Sequence, residues 1–215
     1  MSKKEDILRK NTISILAVYK EMPFEDILKR AFYTIKPSKK RISVMIIIFI
    51  LMLCPSFIII KSNNTIEILN EIIKTSNDIL ITIFGVIFTG YALFQALINK
   101  KTLEVLFLNK GKKEILFDEY NLFFFEFIII YLLVIVFNYI IYLFLTIIGL
   151  GYSNLLVEFN NLIIIIFAIC ISLYITIIIS LIIEVKSFIF NLFQCFNLSA
   201  CSSMVEHLKD LENNK

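Results

Sequence analysis

The residues best able to do chemistry in this sequence are polar side chains inside long apolar runs. One run carries four of them on nearly one helical face: Tyr131, Asn138, Tyr142 and Thr146. The next run carries three hydroxyl residues spaced four apart: Ser172, Thr176 and Ser180. A polar group in the centre of a bilayer is unfavourable unless it is paired, so these side chains should face protein or water. They indicate either a polar path across the membrane or hydrogen bonds between helices.

Two observations favour hydrogen bonds over a path. Hydroxyl groups on a helix can bond the backbone carbonyl four residues earlier, so the second row needs no ligand. Asn138 is uncharged, whereas transport sites in membranes usually contain ionisable groups. The nearest acids are Glu126 and Glu184, close to the ends of their runs. Glu126 is expected to titrate, reach the lipid head groups or pair with a lysine, and Glu184, beside Lys186, is expected at the membrane interface.

The sequence lacks the residue sets that catalysis and metal binding require. His207 is the single histidine, and the cysteines at 54, 170, 195 and 201 form no CxxC pair. These counts exclude a Ser/His/Asp triad, an HExxH site and a Cys/His zinc site. We therefore expect no enzyme activity, no cofactor and no metal. Basic residues are not interleaved with stacking aromatic residues, which argues against a nucleic-acid partner.

Composition places these polar residues in a membrane protein. Hydrophobic residues make up 59% of the 215 residues and charged residues 18%, whereas soluble domains are nearer 45–50% and about 25%. Four apolar runs are long enough to cross a hydrocarbon core of about 30 Å as helices. They cover residues 42–60, 79–98, 122–150 and 162–183. Because lipid satisfies no exposed backbone group, the predicted fold is all-α, an integral membrane bundle of four transmembrane helices.

Lysine and arginine are distributed unevenly between the segments that join the runs. Residues 1–41 contain eleven of them, the segment 99–121 contains five and residues 184–215 contain three. The segments predicted to face the other side, 61–78 and 151–161, contain two and none. Cytoplasmic segments carry the excess of positive charge, so both termini are predicted to be cytoplasmic in the plasma membrane. The transmembrane domain would then occupy 42–190, followed by a cytoplasmic tail, 191–215.

The cytoplasmic segments read as short amphipathic helices. Pro23 suits the first turn of a helix whose apolar residues recur at helical spacing up to Pro37. The segment 99–121 is predicted to form a helical hairpin that turns at Asn109 and Gly111. A basic surface follows from both segments: Lys39, Lys40, Arg41, Lys110, Lys112 and Lys113. It would bind anionic lipid or a cytoplasmic protein, or it would only set the orientation of the chain.

The second run contains a row of small residues that predicts close helix packing. Its members are spaced three or four residues apart along one helical face: Thr82, Gly85, Thr89, Ala92 and Ala96. Small residues let helix backbones approach closely in lipid. The contact could lie within one chain or between copies. In the first run, Pro55 is predicted to kink the helix, with Ser56 available to compensate.

In outline the chain resembles the short four-helix membrane subunits found in bacterial phage-defence operons. The resemblance concerns architecture and carries no site residues, although abundant Ile, Lys, Asn and Phe also suggest an AT-rich bacterial genome. We expect a non-enzymatic, multi-pass subunit that self-associates and acts as an anchor or effector for a cytoplasmic protein partner. The alternative is a small channel or transporter with a polar path lined by the third and fourth spans.

Overall fold

The computed structural model describes residues 3–21, 23–26, 28–29, 38–109, 115–151 and 161–213. The main helices in this part of the chain are α1 (Lys3–Glu21), α2 (Lys39–Ile60), α3 (Thr65–Leu97), α4 (Lys100–Leu108), α5 (Leu116–Gly151) and α6 (Asn161–Asn213). Residues 24–26 and 28–29 are also helical. Four of the helices, α2, α3, α5 and α6, are long and apolar enough to cross a membrane. The predicted all-α class and the four long apolar helices are therefore confirmed, and they suggest a multi-pass membrane protein.

The largest difference from the sequence prediction lies between the first two long helices. We expected a connecting segment over 61–78, but only residues 61–64 form a turn and α3 begins at Thr65. The prediction failed because Glu67, Glu71 and Lys74 lower the local average hydropathy. These charged residues are exposed on one face of α3. Averaged over all its residues, an amphipathic helix with one charged face has a hydropathy similar to that of a loop, so the average does not distinguish the two.

The turn itself is held by one side chain. The hydroxyl of Thr65 lies near carbonyls at the end of α2 and in the turn, with oxygen–oxygen distances of 2.8 Å to Ile59 and 2.7 Å to Ser62. Thr65 is buried. The carbonyl of Ile59 also accepts from the amide of Ser62 at 3.1 Å, so the single hydroxyl proton of Thr65 adds to the backbone bonds of the turn.

Helix α2 runs through its internal proline. Ser38 caps its start by accepting a hydrogen bond from the amide of Arg41 at 3.4 Å. The buried hydroxyl of Ser56 donates to the carbonyl of Met52 at 2.7 Å. Pro55 lacks the amide that would bond the carbonyl of Leu51, so the bond from Ser56 lies on the next carbonyl and does not replace the missing one.

The segment predicted as a helical hairpin is divided differently from the expectation. Helix α3 ends at Leu97 and does not continue into α4. Asn99 starts α4 as its cap, accepting from the amide of Thr102 at 2.8 Å. The other arm begins at Leu116, and the predicted turn residues 110 and 111 lie outside the described residues. The predicted second external segment, 151–161, also falls mostly outside them. The predicted tail from residue 191 continues α6 up to Asn213.

The chain divides into two compact units, which we describe separately. The four-helix unit comprises Pro37–Gly85 and Ile130–Lys186. It contains α2 and parts of α3, α5 and α6, each about 20 to 26 residues long. At about 1.5 Å per residue, such segments match the thickness of a hydrocarbon core. Its buried apolar residues repeat every seven positions, as Ile73 and Leu80 on α3 and Ile171 and Ile178 on α6.

The aromatic unit comprises Met1–Lys36, Val86–Ile129 and Ser187–Lys215. Its core is a cluster of four buried phenylalanines: Phe94, Phe124, Phe127 and Phe188. The ring centroids of Phe94 and Phe124 are 4.9 Å apart, and those of Phe124 and Phe188 are 5.3 Å apart. Helix α1 contacts α4 in this unit, where Lys4 pairs with Glu104 and Asn11 donates to the carbonyl of Phe107 at 2.7 Å. The sequence prediction contained neither α1 nor this core.

Candidate functional site

The small-residue row of α3 lies on the exposed surface of the chain. All five of its residues are exposed: Thr82, Gly85, Thr89, Ala92 and Ala96. A Cβ atom added at Gly85 would meet nothing within 4 Å. The opposite face of α3 is the buried one, marked by residues spaced seven apart: Ile73, Leu80, Ile87 and Phe94. Of the two contacts that the sequence left open, the exposure of these five residues among the described parts of the chain favours the one between copies.

The glycine that does pack closely is Gly90, which the sequence analysis left out of the row. A Cβ atom added there would lie 2.6 Å from Cζ of Phe188. Gly90 is buried in the aromatic unit, where the Phe188 ring also packs on Phe124 and Phe127. The sequence did contain a signal for this packing. Gly90 lies three residues after Ile87 and four before Phe94, which places it on the same helical face as these two residues.

The exposed row continues towards the start of α3 with charged residues. Glu67, Glu71, Lys74 and Asp78 are all exposed, and their spacings of four, three and four place them in line with Thr82. We call the combined surface the outward face of α3; it comprises Glu67, Glu71, Lys74, Asp78, Thr82, Gly85, Thr89, Ala92 and Ala96. Among the described residues, no ion pair involves Lys74. The face therefore has a charged half, Glu67 to Asp78, and a small half, Thr82 to Ala96, whose side chains are short or absent.

The polar row on α5 and the hydroxyl row on α6 are mostly bonded to backbone carbonyls. Tyr131 donates to the carbonyl of Leu181 at 2.7 Å, and Ser172 donates to that of Phe49 at 2.8 Å. Both bonds join two helices of the four-helix unit. Thr146 and Thr176 bond carbonyls four residues earlier, at 2.8 Å and 2.7 Å. The bonds of Tyr131 and Ser172 therefore join helices, whereas those of Thr146 and Thr176 stay within one helix.

The remaining members of the two rows differ in burial. Tyr142 and Ser180 are half-buried. Asn138 is fully buried, with 0% of its surface exposed. Neither its Oδ1 nor its Nδ2 has a hydrogen-bond partner among the described residues. Asn70 and Asn77 on α3 also bury an unbonded Oδ1. The sequence analysis missed these two, because it placed them in a loop, although their seven-residue spacing was visible.

The charged residues near the helix ends are placed as follows. Arg41 forms an ion pair with Glu184 in the four-helix unit, while Lys39 and Lys40 are exposed. Lys110, Lys112 and Lys113 lie outside the described residues. Glu126 is 1% exposed within the aromatic unit. The expectation that it reaches the lipid head groups is therefore wrong, because side chains from that unit enclose it.

Metal and thiol chemistry find no support in the described part of the chain. No group of three or more His, Cys, Asp or Glu residues there could hold a metal ion. The four cysteines are unlinked, with Cys195 buried and Cys54, Cys170 and Cys201 exposed.

Comparison with known proteins assigns no family. No protein-family model, no curated protein and no solved structure matches this chain. A functional proposal therefore depends on the residues and contacts described above, and chiefly on the outward face of α3.

Proposed function

We propose that this protein is a non-enzymatic subunit of the bacterial plasma membrane that self-associates through the outward face of α3. In this proposal both termini are cytoplasmic, and the aromatic unit presents the assembly to a cytoplasmic protein partner. The observation that carries the proposal is the exposure of the whole outward face, from Glu67 to Ala96, on a helix long and apolar enough to cross a membrane.

The charged half of this face is the first argument for a second copy. Glu67, Glu71, Lys74 and Asp78 belong to the four-helix unit, whose helices have the length of a bilayer crossing. Insertion scales assign about 2.5–3.5 kcal/mol to an Asp, Lys or Arg at the centre of a spanning helix, and Lys74 and Asp78 lie near the middle of the part of α3 in this unit. A helix with four exposed charges is therefore more stable when another protein surface covers that face.

The small half is the second argument. With Gly85 and Ala92 in contact, two α3 helices can approach more closely than larger side chains would allow. If both copies have the same orientation, their α3 helices run parallel. Lys74 of one copy then lies one turn from Glu71 and Asp78 of the other. Two-fold symmetry makes the same pair form twice, as in most homodimers.

Disulfide cross-linking in membranes tests the proposed contact. The background variant has Cys54, Cys170, Cys195 and Cys201 changed to Ser or Ala. Gly85→Cys and Ala92→Cys should then form disulfide-linked dimers on mild oxidation, because equivalent residues meet at a two-fold axis. Val86→Cys and Phe88→Cys are matched controls, since both residues are exposed on the flanks of the row. Equal cross-linking at all four positions would refute the contact.

A bulky substitution gives an independent test. Gly85→Leu should lower the dimer fraction while each chain stays folded, because a Cβ atom there would meet nothing within 4 Å among the described residues beyond its own helix backbone. Lys74→Glu should also weaken the dimer by removing both cross-pairs. Lys61→Glu, in the exposed turn after α2, is the control for a change of charge alone. Sedimentation or cross-linking measures the outcome.

The proposed orientation of the chain in the membrane and its proposed binding of a cytoplasmic partner are both argued from positive charge. The nineteen Lys and Arg residues of the segments assigned to the cytoplasm support both termini inside. Labelling of intact cells should reach a cysteine placed at Asn154 and miss one placed at Asn214. Changing Lys110, Lys112 and Lys113 to Glu should abolish partner capture with insertion and dimer size unchanged. The architectural resemblance suggests a phage-defence operon as the setting, which proteins encoded by neighbouring genes would test.

A small channel or transporter is the second candidate, and Asn138 is the observation that favours it. Its buried amide has no hydrogen-bond partner in the part of the chain that the structure describes, which is unusual for a purely structural residue. The hydroxyls of Tyr131 and Ser172 oppose this candidate, because they are bonded to backbone carbonyls. Activity that survives the lysine changes but is lost in Asn138→Leu, together with conductance in liposomes, would favour the channel.

A further inference from the structure

Three helices of the four-helix unit bring polar side chains to one level. Ile66 on α3 lies close to Gly149 on α5, where a Cβ atom added to the glycine would be 3.2 Å from Cγ2 of Ile66. The chain reaches Asn77 eleven residues further along α3 and Asn138 eleven residues back along α5. Since helices rise by about 1.5 Å per residue, antiparallel α3 and α5 place the two asparagines at the same height.

The third helix, α6, is located by its contact with α5. Tyr131 bonds the carbonyl of Leu181, and seven residues from each, Asn138 on α5 and Tyr174 on α6 return to the same faces. The buried hydroxyl of Tyr174 has no hydrogen-bond partner among the described residues. Asn77, Asn138 and Tyr174 therefore form one layer, which we call the asparagine layer. Asn70 continues it two turns towards the start of α3.

The hydrogen-bonding needs of this layer are mixed. Asn138 has an unbonded donor, Nδ2, and an unbonded acceptor, Oδ1, and is fully buried. Asn77 and Asn70 each have an unbonded buried acceptor. These statements count partners among the described residues. Buried polar groups in proteins are almost always bonded, either to protein or to ordered water.

We propose that the asparagine layer binds a short row of ordered water molecules inside the four-helix unit. Water both donates and accepts, so one molecule between Asn77 and Asn138 serves Nδ2 of one and Oδ1 of the other. A cation would be coordinated by the oxygens but would repel the Nδ2 donor. The acid nearest in sequence to Asn77, Asp78, is exposed and points about 100° away round α3, so it does not face the layer to balance a cation there.

The water row ends within the unit and does not form a pore. On the side of the layer away from Asn70, buried Leu80 on α3 and Ile178 on α6 pack at the next level. Tyr131 closes the α5 side, and its hydroxyl is already bonded to Leu181. The row therefore extends from Asn138 towards Asn77 and Asn70 only. This inference is independent of self-association through α3.

Water-edited solid-state NMR tests the proposal on the intact protein. The chain is labelled with ¹⁵N-asparagine and placed in bilayers with deuterated acyl chains, so that water is the main external proton source. The Asn138 side-chain signal is assigned by its loss in Asn138→Gln. We expect polarisation from water to reach Nδ2 of Asn138 about as fast as it reaches the exposed side chain of Asn99. Transfer as slow as that to the backbone amide of buried Leu80 would overturn the proposal.

A variant separates bridging water from a direct bond between the two amides. Asn77→Leu removes one side of the bridge and leaves the Asn138 side chain present as the reporter. If water bridges the pair, transfer to Asn138 in Asn77→Leu should fall several-fold relative to the unchanged chain. Ser43→Leu, an exposed change on α2, is the control and should leave it unaltered. Unchanged transfer in Asn77→Leu would refute the bridge, and a direct amide bond would give slow transfer in both proteins.

Discussion

The two units of this protein are stabilised in different ways. The aromatic unit has a core of phenylalanine rings in direct contact, with Gly90 giving Phe188 its space. The four-helix unit has small apolar contacts, side-chain bonds to backbone carbonyls and an asparagine layer. Large rings exclude water by filling volume, whereas a membrane-sized bundle gains little from the hydrophobic effect and depends on close packing and polar bonds.

This difference separates the effects of substitutions. A truncation in the aromatic unit removes buried volume, so its cost should be large and should depend little on lipid. A truncation in the four-helix unit removes a hydrogen bond or a close contact, so its cost should be small. The substitutions below are ordered by the size of the expected effect.

The largest effect is expected from Phe124→Ala. Phe124 is fully buried between Phe94 and Phe188, so the change leaves a cavity and should cost about 3–5 kcal/mol of the free energy of unfolding. Phe193→Ala is the matched control on α6, because 59% of that residue is exposed and its loss should cost far less. Unfolding in mixed micelles with increasing SDS measures both. Similar costs would show that the rings do not form a core.

The two glycines of α3 should respond in opposite directions to the same change. Gly90→Ala places a Cβ 2.6 Å from Cζ of Phe188 and should cost about 1–3 kcal/mol by overpacking. Gly85→Ala meets no neighbour in its own chain, and the helix propensity of alanine should stabilise the monomer by up to about 1 kcal/mol. Thermal unfolding, at a protein concentration low enough for the proposed dimer to dissociate, measures both free-energy changes. A destabilised Gly85→Ala monomer would contradict the exposed position.

Tyrosine-to-phenylalanine changes, one in each unit, compare the strengths of side-chain hydrogen bonds in the two units. Tyr131→Phe loses the bond to the Leu181 carbonyl, and we expect a cost of about 0.6 kcal/mol, typical of bonds within membrane bundles. Tyr120→Phe loses the bond to Oε1 of Gln194, 2.9 Å long, and should cost about 1 kcal/mol. SDS unfolding again supplies the values. A loss of more than about 2 kcal/mol of unfolding free energy in Tyr131→Phe would contradict this expectation and show that the bond does more than support helix packing.

The ion pair of Arg41 and Glu184 should contribute least. The Arg41 side chain is 39% exposed, so solvent screens the pair and the coupling should be about 0.5 kcal/mol. A double-mutant cycle with Arg41→Ala and Glu184→Ala isolates the coupling from other losses. The coupling should shrink as salt is added. A coupling that does not change with salt would indicate a pair shielded from solvent.

The sequence predicted well those parts of the fold that depend on composition alone. Apolar runs such as 42–60 and 162–183 were predicted to be helical because they have the length of a bilayer crossing. In lipid, a single segment can bond all its backbone N–H and C=O groups only as a helix. The prediction failed for residues 65–78, where one charged face lowers the average hydropathy of an amphipathic helix. It also missed the aromatic unit, since Phe94 and Phe188 are distant in sequence and only tertiary structure brings their helices together.

The sequence named residues of the candidate site but not their arrangement. The spacing of the small residues places them on one helical face of α3, but no pattern distinguishes a face that packs within the chain from one that stays exposed. Asn138 was selected because of its depth in an apolar run. The seven-residue spacing of Asn70 and Asn77 was visible in the sequence, but that Asn77 shares a level with Asn138 depends on the pairing of Ile66 with Gly149.

The four-residue turn before Thr65 has a consequence for biosynthesis. In the proposed membrane topology α2 and α3 enter the bilayer together, because the hydroxyl of Thr65 and residues 61–64 hold the two helix ends close to each other. The first half of α3 carries four charges and would enter lipid poorly as a separate segment. We therefore expect α2 and α3 to leave the translocon as one hairpin, with the apolar helix carrying the charged one into the membrane.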